Sequence, residues 1–282
     1  MKQYRLNHHA VLSMLPDRDP LSHKGNFGRI LLICGSVGYT GAPSLAALGS
    51  LRSGAGLVYL AVPEEIYQIE AVKLLEPVIL PLPSKNGKLS ETAAEPLLDL
   101  IKGKDAVLFG PGLGQSTGVL TAAKLIFEQF HGPIVLDADG INVLAAHRDI
   151  MRDRTYPTII TPHAGEFARL GGNLKDGRIS AALEMSQQLG VITLLKGHET
   201  VITDGSTVYI NETGNPGMAV GGCGDVLSGM IVSLLGQGLP PLEAAACAAW
   251  LHGAAGDVCA KQIGQYGMLP SDMLNVLPRL MK

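Results

Sequence analysis

Short apolar runs alternate with amphipathic stretches along nearly the whole chain, and glycine-rich loops separate them. RILLICG is a continuous apolar run that fits a strand buried on both faces of a parallel sheet. LVYLAV (Leu57 to Val62), Asp105 to Phe109, PIVLDADG, the start of TIITPHAGEF and VITLLKG read as further strands. Between them the pattern predicts helices. One begins near Pro43, with Leu45, Leu48 and Leu51 on one face, and one opens at PEEIYQIEAV with proline and acids in its first turn. Others cover residues 117–130, the short INVLAAH, and ISAALEMSQQLG closed by Gly190. Pro77 to Asn86, with several prolines, reads as an irregular loop, and ETVITDGSTVYIN as a hairpin turned at Asp204-Gly205. Val226, Leu227, Met230, Ile231, Leu234 and Leu235 recur at helical spacing, and two or three helices finish the chain. Strands alternating with helices predict a three-layer αβα fold around a mostly parallel central sheet. Residues 1–24 form a polar lead-in, and with no linker or repeat visible one domain is expected over 1–282.

Composition narrows the function classes. The 35 glycines cluster in short loops, which points to tight backbone approaches and not to a collagen-like or disordered chain. A net charge of −3 without a basic run predicts no nucleic-acid partner. Met1 to Arg29 lacks a signal-type apolar core, and the apolar stretch Ala244 to Leu251 is too short to span a bilayer, so no membrane association is expected. Cys34, Cys223, Cys247 and Cys259 show no CxxC spacing and are expected to be free thiols in a reducing, cytoplasmic setting.

Ligands of such sheets bind at the carboxyl ends of the strands. CGSVGYTGA, GPGLG, LDADG, TPHAGE, LKGHE and GGCGD are all predicted at that edge. The stretch Asn215 to Gly229, NPGMAVGGCGDVLSG, is the most informative. A glycine loop running into a helix leaves free N–H groups at the positive end of the helix dipole, which makes an anion site. Asp225 stands at its mouth, either as a first-turn acid or as a base taking a proton from whatever attacks a bound phosphate. The spacing GxxGxxG in GSVGYTGA is not a dinucleotide fingerprint, and no GxxxxGK[ST] occurs. Gly112 and Gly114 allow backbone to approach a ligand. For at least one of Asp137 and Asp139, capping of the helix of residues 140–147 is the expected role. His163 sits in a turn at a strand end, Glu166 is a first-turn acid or a holder of hydrated metal, and Lys196 ends a buried strand where it needs an acid or a phosphate.

In order, GxxGxxGA, GPGLG, DADGIN, TPHxGEF, KGxxT and GxGDxLSG resemble the ribokinase-like superfamily. More narrowly the chain is similar, from about Lys24 to the last helix, to the ADP/ATP-dependent NAD(P)H-hydrate dehydratases. Kinases of the superfamily usually carry TPNxxE where this chain has Thr161, Pro162, His163 and Glu166. The resemblance implies phosphorylation of the hydroxyl of an S-form hydrated NADH or NADPH ring by ADP, or by ATP, and then loss of phosphate. It implies Asp225 as base, with the Gly222, Cys223 and Gly224 amides as anion hole, each such donor worth about 3 kcal/mol. It further implies adenine-nucleotide contacts from Lys196, Gly197, His198, Glu199, Thr200 and Gly224. Hydrated-dinucleotide contacts fall on Ala42, Gly112, Gly114, His163 and Asp225, with Glu166 near Mg²⁺. A homotetramer and a separate NAD(P)H-hydrate epimerase as functional partner complete the expectation.

Two departures stand out. Cys223 replaces the usual Thr or Ser, and a thiol at a helix N-terminus is expected to have a lowered pKa and to be oxidation-sensitive. Ala164 stands where many members have proline. A vitamin or sugar kinase on the same fold, and a non-catalytic adenylate-binding module, are the alternatives.

Overall fold

The computed structural model describes residues 2–151 and 153–282. The first strands and helices run β1 (Lys2–Arg5), α1 (His8–Met14), β2 (Arg29–Ile33), α2 (Gly41–Arg52), β3 (Leu57–Pro63), α3 (Glu64–Lys73) and β4 (Val78–Leu82). A small hairpin, β5 (Ser84–Lys85) and β6 (Lys88–Leu89), leads to α4 (Ala94–Leu100), β7 (Ala106–Phe109), α5 (Thr117–Gln129), β8 (Ile134–Leu136) and α6 (Asp139–Ala146). Then come β9 (Thr158–Ile160), α7 (Ala164–Arg169), α8 (Arg178–Leu189), β10 (Ile192–Leu195), β11 (Thr200–Thr203) and β12 (Thr207–Asn211). The chain finishes with α9 (Cys223–Gly236), α10 (Pro241–Gln262) and α11 (Pro270–Leu280).

Ten strands form one sheet in the order β1-β12-β11-β10-β9-β8-β7-β2-β3-β4. Its pairings are parallel except at the two ladders of β11. The apolar runs bury both faces, as continuous runs should. Ile30, Leu32 and Leu108 face one apolar core, with α2, α9 and α10 over it. Leu31, Ile33 and Phe109 face the other, under α5, α6 and α8. The expected αβα architecture is thus present, and the ends of β2, β7, β8, β9, β10 and β12 converge on one edge.

Two expectations need correction. The polar lead-in, given no element by the pattern, adds β1 to the sheet edge and seats α1 through the fully buried Val11. All four β1 residues are exposed, so the strand forms by backbone pairing and leaves no apolar trace. Within the expected loop Pro77 to Asn86, β4 pairs with β3. It is the last strand of the sheet, where Pro81 needs no donor to a further neighbour. On α2, Leu45, Leu48 and Leu51 are half-buried and pack against the core, and the buried positions are Pro43, Ala46, Ala47, Gly49 and Ser50. The reason is the distance to α9. A Cβ at Gly229 would stand 2.1 Å from the Ala46 carbonyl oxygen, and one at Gly49 would stand 2.6 Å from that of Val226. Backbone therefore meets backbone, and the Ser50 hydroxyl bridges the contact by donating to the Gly229 carbonyl at 2.9 Å.

Candidate active site

Six loops meet at the carboxyl edge, and short hydrogen bonds tie neighbours together. Gly35 donates its N–H to the Pro111 carbonyl at 2.8 Å, Ser36 its hydroxyl to the Gly112 carbonyl at 2.7 Å, and Lys196 its N–H to the Pro162 carbonyl at 2.9 Å. The glycine loop enters α9 through Gly222, whose φ of 101° is open to glycine and strained for other residues. A Cβ there would also lie 2.5 Å from Leu45 of α2. The first intrahelical bond runs from Val226 N–H to the Gly222 carbonyl, so the Gly224 and Asp225 amides precede it. The Cys223 amide donates back to the Val220 carbonyl at 3.4 Å.

Four charges gather at this helix start. Lys196 Nζ lies 3.0 Å from Asp137 Oδ1 and 3.9 Å from Glu166 Oε2. Thr161 donates its hydroxyl to Asp137 at 2.8 Å. A Cβ placed on Gly224 would be 3.3 Å from Lys196 Nζ and 3.6 Å from Asp137 Oδ2. Burial would lower the Lys196 pKa, but the Asp137, Glu166 and Asp225 carboxylates hold it above its ordinary value. Asp225 is pushed up to about 7, first by burial and then by the Asp137 charge, against the pull of Lys196. A carboxyl poised near neutrality beside free helix amides and an ammonium can take a proton from a hydroxyl while an anion is held next to it.

Neither Asp137 nor Asp139, at least one of which was expected to cap α6, makes a capping bond. The N-cap position of α6 is Ala138, at φ 49°, and makes no side-chain capping bond. Asp139 instead accepts the Gly114 N–H at 2.7 Å, which occupies the Gly114 amide and leaves Gly112 as the glycine facing α2. A Cβ at Gly112 would touch Ala42 Cβ at 3.0 Å, so Ala42 and Gly112 form one lip. His163 caps α7, its Nδ1 accepting the Gly165 and Glu166 N–H groups, which fixes the proton of the neutral ring on Nε2. Glu166 returns the contact by accepting the His163 N–H at 2.8 Å. Cys223 corrects a further expectation. The thiol is buried, and burial pushes its pKa up to about 11, the reverse of an activated cysteine. All four cysteines are free thiols.

Beside the anion loop opens a cavity of about 580 Å³. The Lys196 to Thr200 loop forms one side, the segment from Asn211 to Ala219 another, and α9 and α10 the back. Arg178 holds the first loop by donating to the Leu195 and Lys196 carbonyls at 2.8 and 2.9 Å. The second segment is stitched to α10. Asn211 donates to the Ala249 carbonyl at 3.1 Å, Thr213 to the Trp250 carbonyl at 2.9 Å, and Asp257 accepts from the Gly214 amide and the Asn215 side chain, both at 3.0 Å. Sequence reasoning missed this wall, and missed Asp137 as a partner of Lys196. The signal for Asp137 was an acid ending a buried strand. The signal for the wall was a histidine, His252, in an alanine-rich helix. Among the described residues no group of three or more His, Cys, Asp or Glu side chains could cage a metal. The acids here suit an ion held by one carboxylate and a ligand's phosphates, which is how Mg²⁺ is commonly bound.

An αβα sheet whose carboxyl edge carries a glycine loop running into a helix, with an acid in the first turn of that helix, is the architecture of a ribokinase-like protein. A family model described as NAD(P)H-hydrate dehydratase matches residues 30–279, and the chain belongs to that family. It is 43% identical over 277 residues to the bifunctional NAD(P)H-hydrate repair enzyme Nnr of Moorella thermoacetica, covering 96% of this chain and 52% of that protein. The chain thus spans about half the length of the bifunctional relatives it matches. It is 35% identical to the ADP-dependent (S)-NAD(P)H-hydrate dehydratase of Nitrosopumilus maritimus, covering 96% of this chain and 94% of that one. The crystal structure of the Bacillus subtilis ADP/ATP-dependent NAD(P)H-hydrate dehydratase, co-crystallised with ATP/Mg²⁺, superposes with a TM-score of 0.85 at 32% identity, covering 97% of this chain and 96% of that one.

Proposed function

We propose that this chain dehydrates the S-form of hydrated NADH or NADPH, with ADP as phosphoryl donor. The observation that carries the reading is the placement of Asp225 in the first turn of α9, at the end of the glycine loop and in one charge cluster with Lys196, Asp137 and Glu166, with burial pushing its carboxyl up to about 7. The ring hydroxyl attacks the β-phosphorus of ADP while Asp225 takes its proton. The P–O bond to the AMP portion breaks, and AMP leaves with that electron pair. The C–O bond of the phosphate ester then breaks, phosphate departs with its electrons, a ring proton is lost and the double bond returns. A hydroxyl leaves poorly and a phosphate leaves well, so the phosphoryl group serves the elimination.

The Gly222 and Gly224 amides and Lys196 hold the phosphoryl oxygens, whereas the Cys223 amide, expected to share in this hole, is turned to the Val220 carbonyl. The Lys196 to Thr200 loop and Gly224 bind the nucleotide in the 580 Å³ cavity. Ala42, Gly112 and His163 receive the hydrated dinucleotide, whereas Gly114 acts from behind through its bond to Asp139. Mg²⁺, held by Glu166 through water and by phosphate oxygens, would neutralise charge on the transferring group. We place the enzyme in the cytoplasm as a homotetramer, working with a separate epimerase. No helix among the described residues is long and apolar enough to cross a membrane.

The test supplies hydrated NADH with ADP or ATP in parallel and follows the absorbance of the reduced ring. Return of that absorbance, with one AMP and one phosphate per ring when ADP is the donor, is expected. A stable phosphorylated product would instead identify a small-molecule kinase, and no turnover with either donor would reject the reading.

A further inference from the structure

The cavity wall built from α10 and the segment Asn211 to Ala219 contains, among the described residues, one ring nitrogen that the protein leaves without a partner. Asn211, Thr213 and Asn215 are all engaged. Asn211 and Thr213 bond to α10 carbonyls, and Asn215 bonds to Asp257 and to the Gly217 amide. His252 lines the same cavity and is only 7% exposed. Its Nε2 is buried with no hydrogen-bond partner among the described residues. A buried polar atom left without a partner costs about 1–3 kcal/mol, so its persistence in a cavity wall indicates a partner that arrives with a ligand.

The surroundings say which part of a ligand that is. Burial pushes the His252 pKa down to about 4, with Lys196 adding to the effect against the Cys223 backbone, so the ring is neutral at physiological pH. A neutral imidazole is a weak anion ligand, and the helix start and Lys196 already provide the anion site. The cavity beside His252 is walled by Met218, Ala219, Leu227 and Ala249, which suits an uncharged, flat group. We infer that His252 is a nucleotide-binding residue that hydrogen-bonds the uncharged nucleoside portion of the bound adenine nucleotide. The inference rests on the nucleotide half of the proposed function and is independent of the hydrated substrate.

The test is calorimetric titration of the unmodified chain, His252→Phe, His252→Ala and His252→Gln with ADP, and with inorganic pyrophosphate as a probe that lacks the nucleoside. His252→Phe keeps a ring of similar size without its nitrogens, and His252→Ala provides a second loss variant if the phenyl ring is not accommodated. Both should weaken ADP binding by about tenfold and leave pyrophosphate binding unchanged, and His252→Gln should recover most of the loss. Equal ADP affinity in all four proteins would overturn the inference. So would parallel loss of ADP and pyrophosphate binding, which marks a purely structural role. Failure of the unmodified chain to bind ADP would overturn the nucleotide reading and this inference together, a result distinct from the other two.

Discussion

Replacing Asp225 by asparagine is expected to change activity and stability in opposite directions. The carboxyl is moved from its ordinary 3.8 to about 7 in the fold. An acid whose folded pKa is raised keeps its proton in the native state over a range where the unfolded chain has lost it. Stability therefore falls as pH rises from about 4 to about 7, and the full penalty applies above 7. The shift corresponds to about 4 kcal/mol, which screening through the open side of the site reduces to about 2 kcal/mol. Asparagine carries no such penalty, so Asp225→Asn should be more stable than the parent by about 2 kcal/mol at pH 8.5 and equal to it at pH 3.5. Urea titrations at the two pH values measure this. The same change should lower turnover by about 10²–10⁴, the range for loss of a general base. In the parent protein, turnover should rise with pH through about 7 as Asp225 ionises. A variant that is no more stable at high pH, or one with near-normal turnover, refutes the reasoning for that role.

Other changes test the surroundings. Gly224→Ala meets no backbone, only Lys196 Nζ at 3.3 Å and Asp137 Oδ2 at 3.6 Å, so the variant should fold normally by circular dichroism. Its methyl group occupies the space where an anion meets the helix start, and calorimetry should show ADP affinity lower by about tenfold or more. Gly229→Ala forces a Cβ to 2.1 Å from the Ala46 carbonyl oxygen and should lose about 1–3 kcal/mol in chemical denaturation. Cys223, buried and with its pKa raised to about 11, should not control sensitivity to peroxide. Inactivation rates of the parent and Cys223→Ser should coincide, and protection by the serine would contradict the burial argument.

The sheet, the loop edge and the acid at the α9 turn were legible because continuous apolar runs, glycine clusters and helical spacing are local patterns. What stayed hidden was set by contacts distant in sequence or made by backbone. Asp137 looked like a cap because a helix follows it, and its ion pair with Lys196, 59 positions on, depends on strand order. β1 pairs through its backbone with all its side chains exposed. β4 was hidden by its prolines, which the sheet edge tolerates. On α2 the leucine spacing is local and legible, whereas the small residues that admit α9 carry no apolar signal of their own. His252 escaped notice because α10 is buried on most of its surface, so periodicity does not set one position apart.

The bare contact between Ala46 and Gly229 has a mechanical consequence. Where backbone meets backbone at this crossing and only the Ser50 hydroxyl bridges it, few rotamers are free to rearrange, so α2 and α9 resist sliding past one another by small repacking steps. One helix carries Ala42, on the lip proposed to receive the dinucleotide, and the other carries Asp225, at the loop proposed to hold the phosphate. The span between the Ala42 lip and the Asp225 turn is therefore set by this seam when the chain folds, as in a rigid gauge. Changes of donor or substrate preference would have to arise in the loops around this seam and not in the seam itself.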